Sequence, residues 1–78
     1  MRSLKTTKQF ERDLRQAKRR RKDLDKLWAI VELLMRGAAL PARYRRHKHL
    51  EPDWLLIWDE TEEHLTLTRT GTHADLFE

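Results

Sequence analysis

The chain has no cysteine, which excludes disulfides and thiolate metal sites as sources of stability. Its two glycines and two prolines are too few for a flexible or polyproline linker. No apolar run approaches the roughly 20 residues that a membrane span needs. The opening MRSLKTTK has no apolar stretch behind it, so no secretory leader is expected and the chain reads as soluble and cytoplasmic. Its 78 residues leave room for one domain only, residues 1–78. A chain of this size buries only about 60% of its unfolded surface. Three Trp, two Phe and one Tyr nevertheless point to a packed core and not a solvated tail.

What the chain has in excess is charge, unevenly placed. Residues 1–50 carry 16 Lys and Arg against 5 Asp and Glu, a net +11. Residues 51–78 carry a single Arg against 8 acidic residues, a net −7. A basic half of this strength fits a polyanionic partner, either nucleic acid or an acidic protein segment. The run Lys18, Arg19, Arg20, Arg21 and Lys22 is its centre. The acidic half can also fold back on the basic one.

Periodicity orders the elements. Residues 1–6 suit a short strand. Thr6 or Thr7 can cap a helix over about residues 7–20, where Phe10, Leu14 and Ala17 form a thin apolar stripe. Asp23 suits the N-cap of a second helix. Its wide stripe comprises Leu24, Leu27, Trp28, Val31, Leu34 and Met35, with Gly37 as C′ residue and Pro41 as a stop. Residues 42–50 have no clear period and suit a loop or a short strand. The run from Trp54 to Trp58 and the alternating His64 to Thr70 form a hairpin about a polar turn at 59–63. Strict alternation puts Leu65, Leu67 and Arg69 on one face. Gly71 ends the strand, and a short tail follows. The expected class is α+β: an N-terminal strand and a two-helix hairpin packed on a mainly antiparallel sheet.

Hairpin closure brings Asp53 and Arg69 to one end, with His49 entering there and His73 leaving. Such a cluster suits metal-free RNA cleavage. A base takes the ribose 2′-OH proton, an acid protonates the leaving 5′-oxygen, and a cation stabilises charge on the phosphate. Histidine serves either proton-transfer role, and arginine matches a phosphate with its planar fork. Trp54 or Phe77 can stack on a base. Taken singly, these residues have plainer readings. His64 suits the surface, Trp54 and Trp58 suit the core, and Asp53 suits a turn after Pro52. His47 and His49 can bind a metal, but no third ligand has convincing spacing, so neither metal nor other cofactor is expected.

The strings His49-Leu-Glu-Pro-Asp-Trp54 and Arg69-Thr-Gly-Thr-His73-Ala-Asp-Leu-Phe77, with the basic segment Lys18 to Leu27, Leu40-Pro41 and Tyr44 upstream, carry a further meaning. Together they closely resemble the YafQ-type toxins of the RelE/ParE superfamily of bacterial type II toxin–antitoxin systems, over nearly the whole chain. The resemblance implies a ribosome-dependent endoribonuclease, an mRNA interferase that cuts mRNA in the A site. It implies proton transfer by His49 and His73, an acidic role for Asp53 and phosphate contact by Arg69. Trp54 and Phe77 would shape the site and position the substrate, and His47 would be a further site histidine. The implied partners are a cognate antitoxin, mRNA and the ribosome, whose RNA the basic run 18–22 would contact. No membrane partner is implied. Two alternatives share the fold: a ParE-like gyrase inhibitor without nuclease chemistry, and a degenerate homologue that keeps only antitoxin binding. One departure stands out. The family has a longer segment, including most of a strand, where this chain has only Arg45 to Lys48 between Tyr44 and His49. A true deletion there would remove sheet pairing and shift His47.

Overall fold

Thr7 sets the first helix. Its hydroxyl oxygen accepts from the Phe10 backbone N–H at 2.9 Å, and its O–H donates to the Thr68 carbonyl at 2.8 Å. One threonine therefore caps a helix and ties it to a strand 61 residues away. In the computed structural model, residues 3–36 and 47–77 are described. Their order is β1 (Ser3–Thr6), α1 (Lys8–Arg19), α2 (Leu24–Met35), β2 (His47–Glu51), β3 (Trp54–Glu60), β4 (His64–Gly71) and α3 (His73–Phe77). The expected Gly37 C-cap, Pro41 stop, Leu40 and Tyr44 lie outside the described residues. Among the described residues no helix is long and apolar enough to cross a membrane.

The four strands form one sheet in the order β1-β4-β3-β2. Only β1 and β4 are parallel, and the other pairs are antiparallel. The α+β expectation therefore holds. The short connection does not cost the sheet its fourth strand, because β2 pairs with β3 from His47 to Glu51. Helix residues Phe10, Ala17, Leu27, Val31 and Leu34 form one core with Trp54, Leu56, Trp58, Leu65 and Leu67. Asp23 caps α2 through the Asp25 N–H, as expected. Trp28 departs from the expected stripe and stands exposed on α2. His64 departs too: it is half-buried, with its Nδ1 out of contact with solvent.

The α1 C-terminus closes by a six-residue hydrogen-bonded cap. The Lys22 N–H bonds to the Ala17 carbonyl and the Arg21 N–H to the Lys18 carbonyl, both at 3.0 Å. This geometry puts Arg21 at φ 59°, the left-handed region that glycine occupies without steric cost. Arg21→Gly is therefore expected to stabilise the fold by about 1 kcal/mol. Urea unfolding checks this, and an unchanged or lower midpoint would contradict it.

Candidate functional site

The register of the sheet builds the site. Residues directly opposite on neighbouring strands share a face. His47 pairs with Ile57, and Ile57 pairs with Arg69. His49 pairs with Leu55, and Leu55 pairs with Gly71. These two rows lie on the face opposite Trp54, Leu56 and Trp58, away from the helical core. His47, His49 and Arg69 thus stand on an open sheet face floored by Leu55 and Ile57.

Arg69 reaches that face through a β-bulge. Trp58 pairs with Leu67, but Ile57 pairs with Arg69, so Thr68 is the extra residue. The expectation that Arg69 shares a face with Leu65 and Leu67 is corrected accordingly. Past the bulge the alternation is inverted, and Thr70 is the buried residue. The Arg69 side chain then bends round the edge of β4 that β1 leaves uncovered after Leu67. There its Nε donates to Asp13 Oδ2 at 2.6 Å and its Nη2 to Oδ1 at 3.2 Å. Asp13 holds the guanidinium more firmly protonated than an ordinary arginine.

The C-terminal residues were expected to be a tail, but they form α3. Thr72 and Asp75 make a reciprocal capping box. The Asp75 N–H bonds to Thr72 Oγ1 at 3.1 Å, and the Thr72 N–H bonds to Asp75 Oδ2 at 3.0 Å. Gly71 permits the approach, since a Cβ there would lie 3.0 Å from that of Asp75. Arg20 clamps the same carboxylate at 2.6 Å. This places His73 over the Pro52-Asp53 turn. Asp53 Oδ1 accepts from the His73 backbone N–H at 3.0 Å and lies 2.7 Å from its Nδ1. The His49 ring is 5.4 Å from that of His73, and the Phe77 ring is 6.1 Å from it. His47 lies 6.3 Å from His49. Asp53, His73 and His49 therefore come together, flanked by Phe77. Arg69 comes to the same face but is gripped by Asp13.

One expectation about contact surfaces needs correction, and another gains detail. Trp54, named among substrate-binding residues, is 1% exposed and belongs to the core. It supports the site from beneath, with Lys22 Nζ 5.9 Å above its ring, and cannot stack on a base. Within the basic run, Arg20 is paired with Asp75 and Lys22 with Glu51. These two hold down the elements that carry His73 and His49, though Arg20 itself stays exposed like Lys18, Arg19 and Arg21. Sequence reasoning missed Asp13 and the Thr72–Asp75 box. The box has a signal in the T-x-x-D spacing. Asp13 has one in its place between Phe10, Leu14 and Ala17 on the buried stripe.

The acids of this region titrate low. The Arg20 hydrogen bond, helped by the Thr72 N–H, draws Asp75 from 3.8 down to about 2. Bonds from the His73 N–H and ring draw Asp53 down as well. A depressed carboxylate stabilises the fold above its unfolded pKa, and this is lost as pH falls through the folded pKa. Docking of α3 is thus expected to hold at neutral pH and to fail between about pH 4 and 2. The Phe77 and His73 resonances should move in that window, ahead of the sheet. An α3 that stays docked at pH 2 would refute this.

The arrangement can do general chemistry on an anion. It offers three imidazoles, one of them tied to a carboxylate, a guanidinium, and an exposed aromatic at the rim. Comparison with known proteins adds the rest. A family model described as the bacterial toxin of type II toxin-antitoxin system, YafQ, matches residues 2–78. The protein named mRNA interferase toxin YafQ of Escherichia coli (strain B / BL21-DE3) is 39% identical over 88 residues, covering 97% of this chain and 96% of that one. The alignment is longer than the 78 residues of this chain, so the chain lacks residues that its relative has within the matched region. The crystal structure of the E. coli DinJ–YafQ complex matches with a TM-score of 0.86 at 36% identity, over 100% of both chains. That of YafQ from E. coli strain BL21(DE3) matches with a TM-score of 0.84 at 35% identity, again over 100% of both.

Proposed function

Because the chain belongs to the YafQ family of bacterial toxins of type II toxin–antitoxin systems, we propose that its 78 residues form one toxin domain, a ribosome-dependent mRNA interferase. It cuts mRNA in the ribosomal A site, in the cytoplasm, and is held in check by a cognate antitoxin. The observation that carries this reading is the shared open face: His47, His49 and Arg69 in register, with the Asp53–His73 pair at its end.

The chemistry needs a proton removed from a ribose 2′-OH and one delivered to the leaving 5′-oxygen. The 2′-oxygen attacks phosphorus, the bond to the 5′-oxygen breaks, and a 2′,3′-cyclic phosphate and a 5′-OH result. His49 and His73 divide the two proton transfers. With Nδ1–H donating to Asp53, the His73 ring is fixed and its Nε2 is the atom presented to substrate. Arg69 stabilises the charge that grows on the phosphate. His47 binds a neighbouring phosphate or base, and exposed Phe77 stacks on a base.

A second polyanion contact lies on the far side of the molecule. Lys8, Arg12, Arg15 and Arg19 recur at helical spacing on α1, opposite its buried stripe, and all are exposed. With Lys18 and Arg21 they are the cations for ribosomal RNA phosphates. Binding to ribosomes should therefore weaken steeply as salt rises.

The test is mRNA cleavage by the purified protein on programmed ribosomes, mapped by primer extension, beside a His73→Ala control. Cuts at A-site codons from the parent alone are expected. No cuts from folded protein, with inhibition of gyrase supercoiling instead, would replace this reading with a ParE-like one.

A further inference from the structure

We propose that Asp13 is a positioning residue for Arg69, aiming its guanidinium at the scissile phosphate. The inference rests on the interferase reading of the site. Asp13 sits on α1, outside the open face, and is 5% exposed. Its carboxylate receives four bonds: Arg69 Nε at 2.6 Å, Arg69 Nη2 at 3.2 Å, the Thr70 N–H at 3.2 Å and Gln9 Nε2 at 3.0 Å.

Two of these would be enough to close the uncovered edge of β4. The Thr70 N–H points out of the sheet there, and Gln9, one helical turn before Asp13, fills a further lone pair. The two-pronged hold on Arg69 does something else. It takes Nε and one proton of Nη2, and so fixes the plane of the guanidinium. Of five N–H donors, three stay available: both on Nη1 and the second on Nη2. A fork held on one edge presents the other edge in a fixed direction. An arginine without that hold samples many rotamers, and each transition-state contact must then order it again.

A double-mutant cycle on programmed ribosomes tests this. Asp13→Asn keeps the size and an acceptor for Thr70 but gives up the charge-assisted fork. It should lower kcat by about 10²-fold, with KM within about threefold of the parent. Because Asp13 acts through Arg69, the same change in an Arg69→Ala background should do nothing further. Folding of each variant is checked by circular dichroism and Tm. A folded Asp13→Asn that cleaves like the parent overturns the proposal. So does an equal loss in both backgrounds, since Asp13 would then act through the fold alone. If Arg69→Ala itself cleaves normally, the phosphate role of Arg69 fails and the proposal with it. Should Asp13→Asn not fold, Gln9→Ala replaces it, removing only one donor from the carboxylate. A loss of about twofold to fivefold that vanishes without Arg69 supports the same conclusion, and parental activity overturns it.

Discussion

Arg69→Ala is expected to lower mRNA cleavage by about 10²- to 10³-fold, the usual cost of removing a donor aimed at charge developing in the transition state. The same change is expected to destabilise the protein. Asp13 is buried and gives Arg69 two of its four bonds. Without the guanidinium a buried carboxylate keeps only the Thr70 N–H and Gln9, and the cost is about 1–3 kcal/mol. Chemistry and stability therefore fall together. Single-turnover cleavage well below the unfolding temperature separates them, with Arg69→Lys as a second probe. Lysine restores a charge but not the fork, so it should recover more stability than activity. An Arg69→Ala protein that cleaves at the parental rate would remove Arg69 from the mechanism.

His73→Ala is expected to cost about 10²- to 10⁴-fold in cleavage with little change in stability. The ring is half exposed, and its one described polar contact is with Asp53. The backbone N–H of residue 73 still reaches Asp53 in the variant, so α3 should stay docked. Asp53→Asn makes an informative companion. It keeps an acceptor near Nδ1 but removes the carboxylate that stabilises an imidazolium, so it should cost less than His73→Ala and shift the pH–rate profile. Equal rates for parent and His73→Ala would assign the proton transfers elsewhere.

Both helices were legible in the sequence because their signals are redundant. Apolar spacing agrees with the caps, Asp23 for the second helix and one of the two candidate threonines, Thr7, for the first. The hairpin was legible from the alternation after His64. The face of Arg69 was not, because alternation counts residues and a bulge adds one that composition does not mark. The Thr68 bulge sits where the Thr7 hydroxyl reaches its carbonyl and β1 ends at Thr6, contacts that local sequence does not mark. α3 escaped notice because five residues carry too little periodicity, although the Thr72–Asp75 box was in view. The convergence of Asp53, His49 and His73 could be reasoned from hairpin closure. The claim of Asp13 on Arg69 could not, since 56 residues separate them. For the basic run, sequence gives the charges but not which of them the acidic half neutralises. Arg20 and Lys22 answer to Asp75 and Glu51, and only the structure distinguishes them from Lys18, Arg19 and Arg21.

The bulge at Thr68 makes β4 a strand read in two phases. Up to Leu67 the odd positions look inward, and from Arg69 they look outward. Thr68 works as a spare beat. Removing it would leave Trp58 opposite Leu67 and Ile57 opposite Arg69, and the strand would simply run without a break in step. Ironing the strand flat with all its residues kept would do the opposite. Thr68 would then face Ile57, Arg69 would face Leu56, and the arginine would be driven toward the apolar interior. The address of Arg69 therefore belongs to the kink and not to the residue itself, and whatever holds the kink in place is part of the catalyst.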